Sequence, residues 1–456
     1  MRTLLQGFGV GLLGAIVMTP HFANALEGED SYIPGYNLQS KVGNMLLASE
    51  IEQNYSVIDY DYQGVLTASN QLLESYFTKH HRDLATSIQF FEQLNAPYIY
   101  SGAIGEGRCQ SAHCTKIQQD LPYRLDGLDC VTLVQDLLAL NQSGNIAEFK
   151  QNLRQISYGA YDQSDTMSFL NRNNFTSSDF NRVNQASRVL KDVTSFGPFS
   201  NYVAHLPQKV IDHKSWFEIK VEPQNLKSNI RVLPQNEKSA PSIIAKFTNG
   251  YADGFDPITI NNFPFIPKEA LVKKTADGYQ ANEVLINKLI TPSVVEFVRE
   301  DSKWMIGDKP INEIIGSNIL ISHMGVLYKK RFKKGEIIYQ AINCDYNQLG
   351  EKICTVKPVK CNKGSCEKVM LLAASNAYPN DYIYSKKVGE ERYACTDNTK
   401  VPSGFIPVKN KLSGKPTTCN RTFSMPLEDY LASKQYGKYP YMESASLVGI
   451  HVEKIV

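Results

Sequence analysis

Long apolar runs are scarce in this 456-residue chain. Past residue 25 no stretch approaches the ~20 apolar residues that a membrane span requires, so a helical membrane protein is not the reading. An excess of one charge is also missing. Lys and Arg number 48 against 46 Asp and Glu, a balance of +2 that offers no electrostatic field for nucleic acid or anionic lipid. Histidine is absent from the late cysteine-rich segment, and a C-x4-C spacing is wide for a zinc knuckle, so no metal and no cofactor is expected. Partners therefore have to be argued from a site. What is present is globular: 42% apolar residues with 10% aromatics are enough for a sizeable core.

The first residues carry a recognisable address. Met1-Arg2-Thr3 gives a short positive start, an apolar Gly-rich run follows from Leu4 to Met18, and Ala23-Asn24-Ala25 supplies the A-x-A pattern of a secretory signal cleaved after Ala25. The mature protein is expected outside the cytoplasm, periplasmic or secreted. Export permits disulfides. Nine cysteines are present: Cys109 and Cys114 close together, Cys344, Cys354, Cys361, Cys366, Cys395 and Cys419 in one late segment, and Cys130 alone in an apolar stretch. Eight can pair, with Cys109–Cys114 and Cys361–Cys366 as plausible local loops. The odd one is a reactive thiol or an intermolecular bridge.

Residues 26–95 read as an extended lead segment and then a helical lead-in, where Leu66, Leu72, Leu73, Phe77, Ile88, Phe90, Phe91 and Leu94 recur at helical spacing. The main domain is placed at 96–456, with expansions near 200–290 and 344–420. Asp129 is a natural N-cap for the apolar segment Cys130 to Leu140, which puts Cys130 in a first helical turn, where unpaired N–H groups and the helix dipole favour a thiolate. The competing reading is a small buried core cysteine. Strands are expected at Val294–Val298 and Ile319–Tyr328, with a solvated basic turn from Lys329 to Gly335 and a partner strand Glu336–Ile342 closing a hairpin. Further strands are expected at Lys368–Ala373 and Leu447–Ile455.

A thiol nucleophile needs a base within reach and a polar group to hold the imidazole. His80 and His81 lie on the polar lead-in, His113 between Cys109 and Cys114, and His205 and His213 in irregular chain. His451 sits on the closing strand, where it can alternate outward. Only His323 combines a strand, small neighbours and a position downstream of the cysteine helix.

Several blocks in order resemble the N-acetylmuramoyl-L-alanine amidase-like branch of the NlpC superfamily of papain-fold cell-wall hydrolases. They are Gly105-Glu106-Gly107, Pro122-Tyr123-Arg124 running into Asp129-Cys130-Val131-Thr132 and Leu138-Ala139-Leu140, then Ile321-Ser322-His323-Met324-Gly325, and last Pro426-Leu427-Glu428-Asp429-Tyr430-Leu431 with Gly449-Ile450. The resemblance implies an α+β papain-like fold, a nucleophile helix packed on an antiparallel sheet. It implies that Cys130 attacks an amide carbonyl of peptidoglycan or a muropeptide to form a thioester, that His323 relays the proton, and that the Cys130 N–H receives the oxyanion. The bond it favours is N-acetylmuramoyl–L-alanine. Alternatives are a stem-peptide endopeptidase and a non-catalytic cell-wall-binding protein. Where the branch reads H-A-S the chain reads Ala373-Ala374-Ser375, leaving Gln340, Ser375 and Asn376 as candidates for the imidazole orienter. Where it often reads R-N-H-F the chain has Arg172-Asn173-Asn174-Phe175. Glu106, Tyr123, Arg124, Asp129 and Arg172 are the candidates for holding peptide carboxylate or sugar, the alternative being that such residues brace loops.

Overall fold

The computed structural model describes residues 58–456 with breaks, the longest at 99–120, 216–256, 408–419 and 434–445. The signal and lead segment, and the pair Cys109 and Cys114, lie outside the described residues. The lead-in forms two helices, α1 (Tyr62–Lys79) and α2 (Leu84–Gln93). Asp83 starts α2 by accepting from the N–H groups of Ala85 and Thr86. Leu72, Leu73, Phe77, Ile88, Phe91 and Leu94 are all buried, as their spacing predicts.

Next comes α3 (Cys130–Asn141), in which every residue from Cys130 to Leu140 is buried. A helix buried on all sides is an interior helix, and this one, mostly apolar but with Thr132, Gln135 and Asp136 enclosed, lies among α2, α4 (Ile146–Ser157) and the main sheet. Leu133, Leu137, Leu138 and Leu140 are fully enclosed, each contributing about 2 kcal/mol of hydrophobic stabilisation. A π-turn at Thr176–Phe180 leads into α5 (Asn181–Ala186).

The strands of the main sheet are β1 (Pro97–Tyr98), β2 (Leu190–Asp192), β3 (Ala204–Leu206), β4 (Phe263–Pro267), β5 (Ser293–Arg299) and β6 (Ile321–Lys333). A separate two-stranded arm holds β7 (Ile337–Tyr346) and β8 (Lys352–Lys360). Then β9 (Ser365–Ser375), β10 (Asn420–Pro426) and β11 (Leu447–Ile455) return to the main sheet. Its order is β1-β10-β9-β6-β5-β11-β4-β3, antiparallel throughout, with β2 also pairing to β11.

Two cores flank this sheet. The first joins α3 to Val294, Met324, Val326, Tyr328, Met370 and Leu372. The second gathers Val295, Phe297, Leu327, Leu371, Ala373, Ile450 and Val452 with Leu271 of α6 (Lys268–Leu271), Leu285 of α7 (Glu283–Ile286), and Leu427, Tyr430 and Leu431 of α8 (Leu427–Ser433). Alternation along β5, β6 and β9 sends neighbouring residues to opposite cores, as the period of a strand requires.

The expected hairpin is not formed. Of the expected basic turn, Lys329 to Lys333 instead extend β6 and only Lys334 and Gly335 form a turn; β7 leaves to pair with β8, and β9 takes the place beside β6, from Val326 opposite Leu372 to Lys333 opposite Ser365. The reason lies in composition. Val369, Met370, Leu371, Leu372, Ala373 and Ala374 are buried on both faces, and such a continuous apolar run suits an interior strand. The Cys361–Cys366 disulfide, with sulfurs 2.13 Å apart, closes the bend just before β9. Hence the expansion near 344–420 supplies a central strand, and the one near 200–290 supplies β3 and β4.

Candidate functional site

Asp129 builds the local geometry around Cys130. Its backbone is extended and its Oδ1 accepts from the N–H groups of Val131 at 3.0 Å and Thr132 at 2.8 Å, while the Asp129 N–H donates to Thr132 Oγ1 at 2.8 Å. This capping box satisfies helix donors that have no partner within the helix. It also fixes Cys130 as the first residue of α3, with its side chain only 1% exposed. Burial raises the Asp129 carboxyl against the pull of the Thr132 and Val131 hydrogen bonds and of the Arg172 charge. The carboxylate caps its own helix.

Tyr123 and Arg172 are also buried. Tyr123 is buried, edge-on to Phe149 at 6.3 Å, with Lys150 Nζ lying 4.9 Å above its ring. Arg172 is 1% exposed and bridges to Tyr158 through its backbone. Tyr123 belongs to the core that encloses α3, and the Arg172 charge acts on Asp129 at its start. Glu106, Arg124 and Asn376 lie outside the described residues, as do the side chains of Gln340 and Ser375.

His323 stands near the start of β6, the strand against which α3 packs. Its register partner on β5 is Phe297, next to a bulge between Phe297 and Val298. The imidazole stacks on Phe297, with centroids 5.6 Å apart, and on Tyr430, at 5.8 Å. Those two rings also touch, at 4.8 Å. The C-terminal block therefore acts through α8, which carries Tyr430 to the histidine. Helix and histidine strand are brought together, yet Cys130 belongs to the first core and the His323 ring packs with residues of the second.

The orienter candidates separate in the same way. Gln340 is on β7, opposite Lys357 of β8, outside the sheet that carries His323. Ala373 is fully buried in the second core, and its Cβ lies 3.1 Å from where a Cβ on Gly325 would stand. The position that reads histidine in the resembling branch thus adjoins the histidine strand, but here it offers a methyl group.

Two histidines passed over in the sequence are buried. His213 is fully enclosed, its Nε2 3.0 Å from both carboxylate oxygens of Asp179 and its ring edge-on to Phe175 at 4.9 Å. His451 does not alternate outward: it is 2% exposed, because β11 lies between β5 and β4 with both faces covered. Burial opposes its charge, but the Glu453 hydrogen bond and the charges of Glu296 and Asp192 push it up to about 9. Burial, with Glu453 and Asp192 nearby, raises Glu296 to about 8. Neither histidine carries a local sequence signal, since each is defined by partners distant in the chain.

Comparison with known proteins adds a family. Residues 107–345 match the family described as AmiA-like, N-acetylmuramoyl-L-alanine amidase-like. Among solved structures, a DUF1460 protein from Legionella pneumophila aligns at 21% identity over 66% of this chain and 89% of its own, with a TM-score of 0.43. A putative xylanase from Bacteroides fragilis aligns at 15% identity over 81% and 99%, with a TM-score of 0.36. An N-acetylmuramoyl-L-alanine amidase from Bacteroides uniformis aligns at 13% identity over 85% and 99%, with a TM-score of 0.33. No curated protein matches.

Proposed function

The chain belongs to the AmiA-like family of N-acetylmuramoyl-L-alanine amidase-like proteins, and from that premise we propose that it is an exported cysteine amidase cutting the N-acetylmuramoyl–L-alanine bond of peptidoglycan. The observation that carries the reading is the place of Cys130, first residue of a capped, wholly buried helix packed against the strand of His323. A helix start lowers the cost of a thiolate. In this scheme the Cys130 sulfur attacks the amide carbonyl carbon. The backbone N–H of Cys130 receives the oxyanion, since those of Val131 and Thr132 go to Asp129 Oδ1. His323 takes the thiol proton and passes it to the departing alanine nitrogen, and water then opens the thioester. The helix-on-sheet arrangement is read as papain-like, of the NlpC type, and the first 25 residues as a cleaved signal.

Digestion of defined muropeptides, followed by mass spectrometry, tests the reading. Free stem peptide released by the native protein and abolished in Cys130→Ala supports the amidase. Shortened stems would transfer the protein to endopeptidase chemistry. Binding without turnover would favour a non-catalytic wall protein, a reading that rests on the methyl group of Ala373 where an orienter is expected. His323→Ala examines the base separately, because its ring keeps company with the second core. Full turnover in that variant would move the base role elsewhere, and His213 is the next imidazole to replace.

A further inference from the structure

Three neighbouring strands converge on one buried polar cluster that the amidase scheme does not use. Glu453 on β11 is opposite Asp192 on β2, and His451, two residues earlier on the same face, is opposite Glu296 on β5. His451 Nε2 lies 3.1 Å from Glu453 Oε1 and 3.8 Å from Asp192 Oδ1. One ligand atom from each of Asp192, His451 and Glu453 can be chosen so that all lie within 4.8 Å of one another. Ligands about 2.0 to 2.1 Å from a tetrahedral zinc ion stand about 3.4 Å apart, which the two observed separations bracket.

The imidazole is turned for such a role. Its Nδ1 is 2.9 Å from the carbonyl oxygen of Pro264 and 3.0 Å from Thr194 Oγ1. A carbonyl only accepts, so Nδ1 keeps its proton, and a metal ion would displace the Nε2 proton that the charged ring directs at Glu453. Metal-bound histidines are commonly held in this way by a backbone carbonyl.

A second observation comes from the carboxylates themselves. Glu453 Oε2 and Glu296 Oε1 are buried and have no hydrogen-bond partner. Both residues are fully enclosed, and buried carboxylate oxygens are seldom left in this condition. The second oxygen of Glu296 is held by Asn181 Nδ2 at 3.0 Å, and Glu453 Oε1 by Gln185 Nε2 at 2.5 Å. Asp192, with 37% of its side chain exposed, gives a cation a route in from solvent.

We propose that Asp192, His451 and Glu453, with Glu296 beside them, bind a divalent first-row transition-metal ion, zinc fitting best. Mixed imidazole and carboxylate donors suit that class. The ion ties β2 to β11 and β5, uses none of the residues of the amidase scheme, and is independent of that reading.

The test uses full-length protein under non-reducing conditions, carrying Cys130→Ala to remove the thiol as a rival ligand. After chelator treatment and dialysis it is titrated with Zn²⁺ against a chromophoric chelator, and with Co²⁺ by visible absorption. One equivalent bound, with a raised melting temperature and tetrahedral Co²⁺ bands, is expected. Asp192→Asn, at the exposed rim and therefore compatible with folding, should weaken zinc about tenfold or more, and His451→Gln should remove the Co²⁺ bands. Absence of binding, or an affinity unchanged in Asp192→Asn, would overturn the assignment and leave the cluster as a buried ion-pair network.

Discussion

Replacing Asp136 by asparagine is expected to stabilise the protein by an amount that grows with pH. The side chain projects from α3, is fully buried, and neither carboxylate oxygen has a hydrogen-bond partner. Burial, reinforced by the charge of Asp129, holds its carboxyl well above the usual range. In the unfolded chain an aspartate titrates at about 3.9. Below that pH the group is protonated in both states and the native residue costs nothing through ionisation. Above it the unfolded state releases the proton and the folded state retains it, so native stability falls by about 1.4 kcal/mol per pH unit until the folded value is reached. Between 3.9 and pH 7 this sets a ceiling of about 4 kcal/mol. Asparagine keeps the shape and never ionises. Urea unfolding of the native protein and Asp136→Asn near pH 4 should give closely similar midpoints, and near pH 7 the variant should be the more stable. A variant that is less stable at pH 7, or a difference that does not change with pH, would refute the argument: the carboxylate would then be ionised and held by a partner.

Further outcomes follow from packing and pairing. Gly325→Ala would place a Cβ 2.6 Å from the Leu372 carbonyl oxygen and 2.7 Å from Leu371 Cδ1, so β6 and β9 must part, at a cost of about 1–3 kcal/mol readable as a lowered melting temperature. Gly449→Ala drives a methyl group into the backbone of Ile266 and should be at least as damaging; native-like melting would mean β11 and β4 are not in this register. Lys209 reaches Asp301 at 2.6 Å and Glu300 at 2.5 Å, with Asp301 fully buried. Lys209→Met leaves that carboxylate without its cation and should cost about 3–5 kcal/mol, measured by denaturant unfolding. Tyr430→Leu removes one of the two rings stacked on His323. If the amidase scheme holds, kcat falls and the pH profile of turnover shifts, while KM for a muropeptide changes little; an unaltered profile would separate the stacking from the chemistry.

What was legible in the sequence was local. The N-cap aspartate, the apolar run after it and the isolated cysteine specify α3 within their own dozen residues, and the structure places the helix where the pattern puts it. Strand β6 was legible for the same reason, through its β-branched and aromatic content. Its neighbour was not. Residues 336–342 follow the turn immediately and have strand character, but pairing is decided by which segment can be buried on both faces, and that favours Leu371 and Leu372 over a strand nearer in the chain.

The same distinction explains the site. Asp129 was read both as a cap and as a substrate ligand; its two bonds to α3 are local, and they are the ones the structure contains. Tyr123 and Arg172 are candidates only through the family blocks they match, and such a match says nothing about burial; tertiary packing is what encloses them. His451 illustrates the limit most clearly. Alternation along Leu447–Ile455 distinguishes the two faces of a strand, but it cannot distinguish a solvated face from one covered by other layers. In an interior strand the polar half of the pattern therefore marks buried polar chemistry: His451 and Glu453 needed Glu296 and Asp192 from other strands before their burial made physical sense.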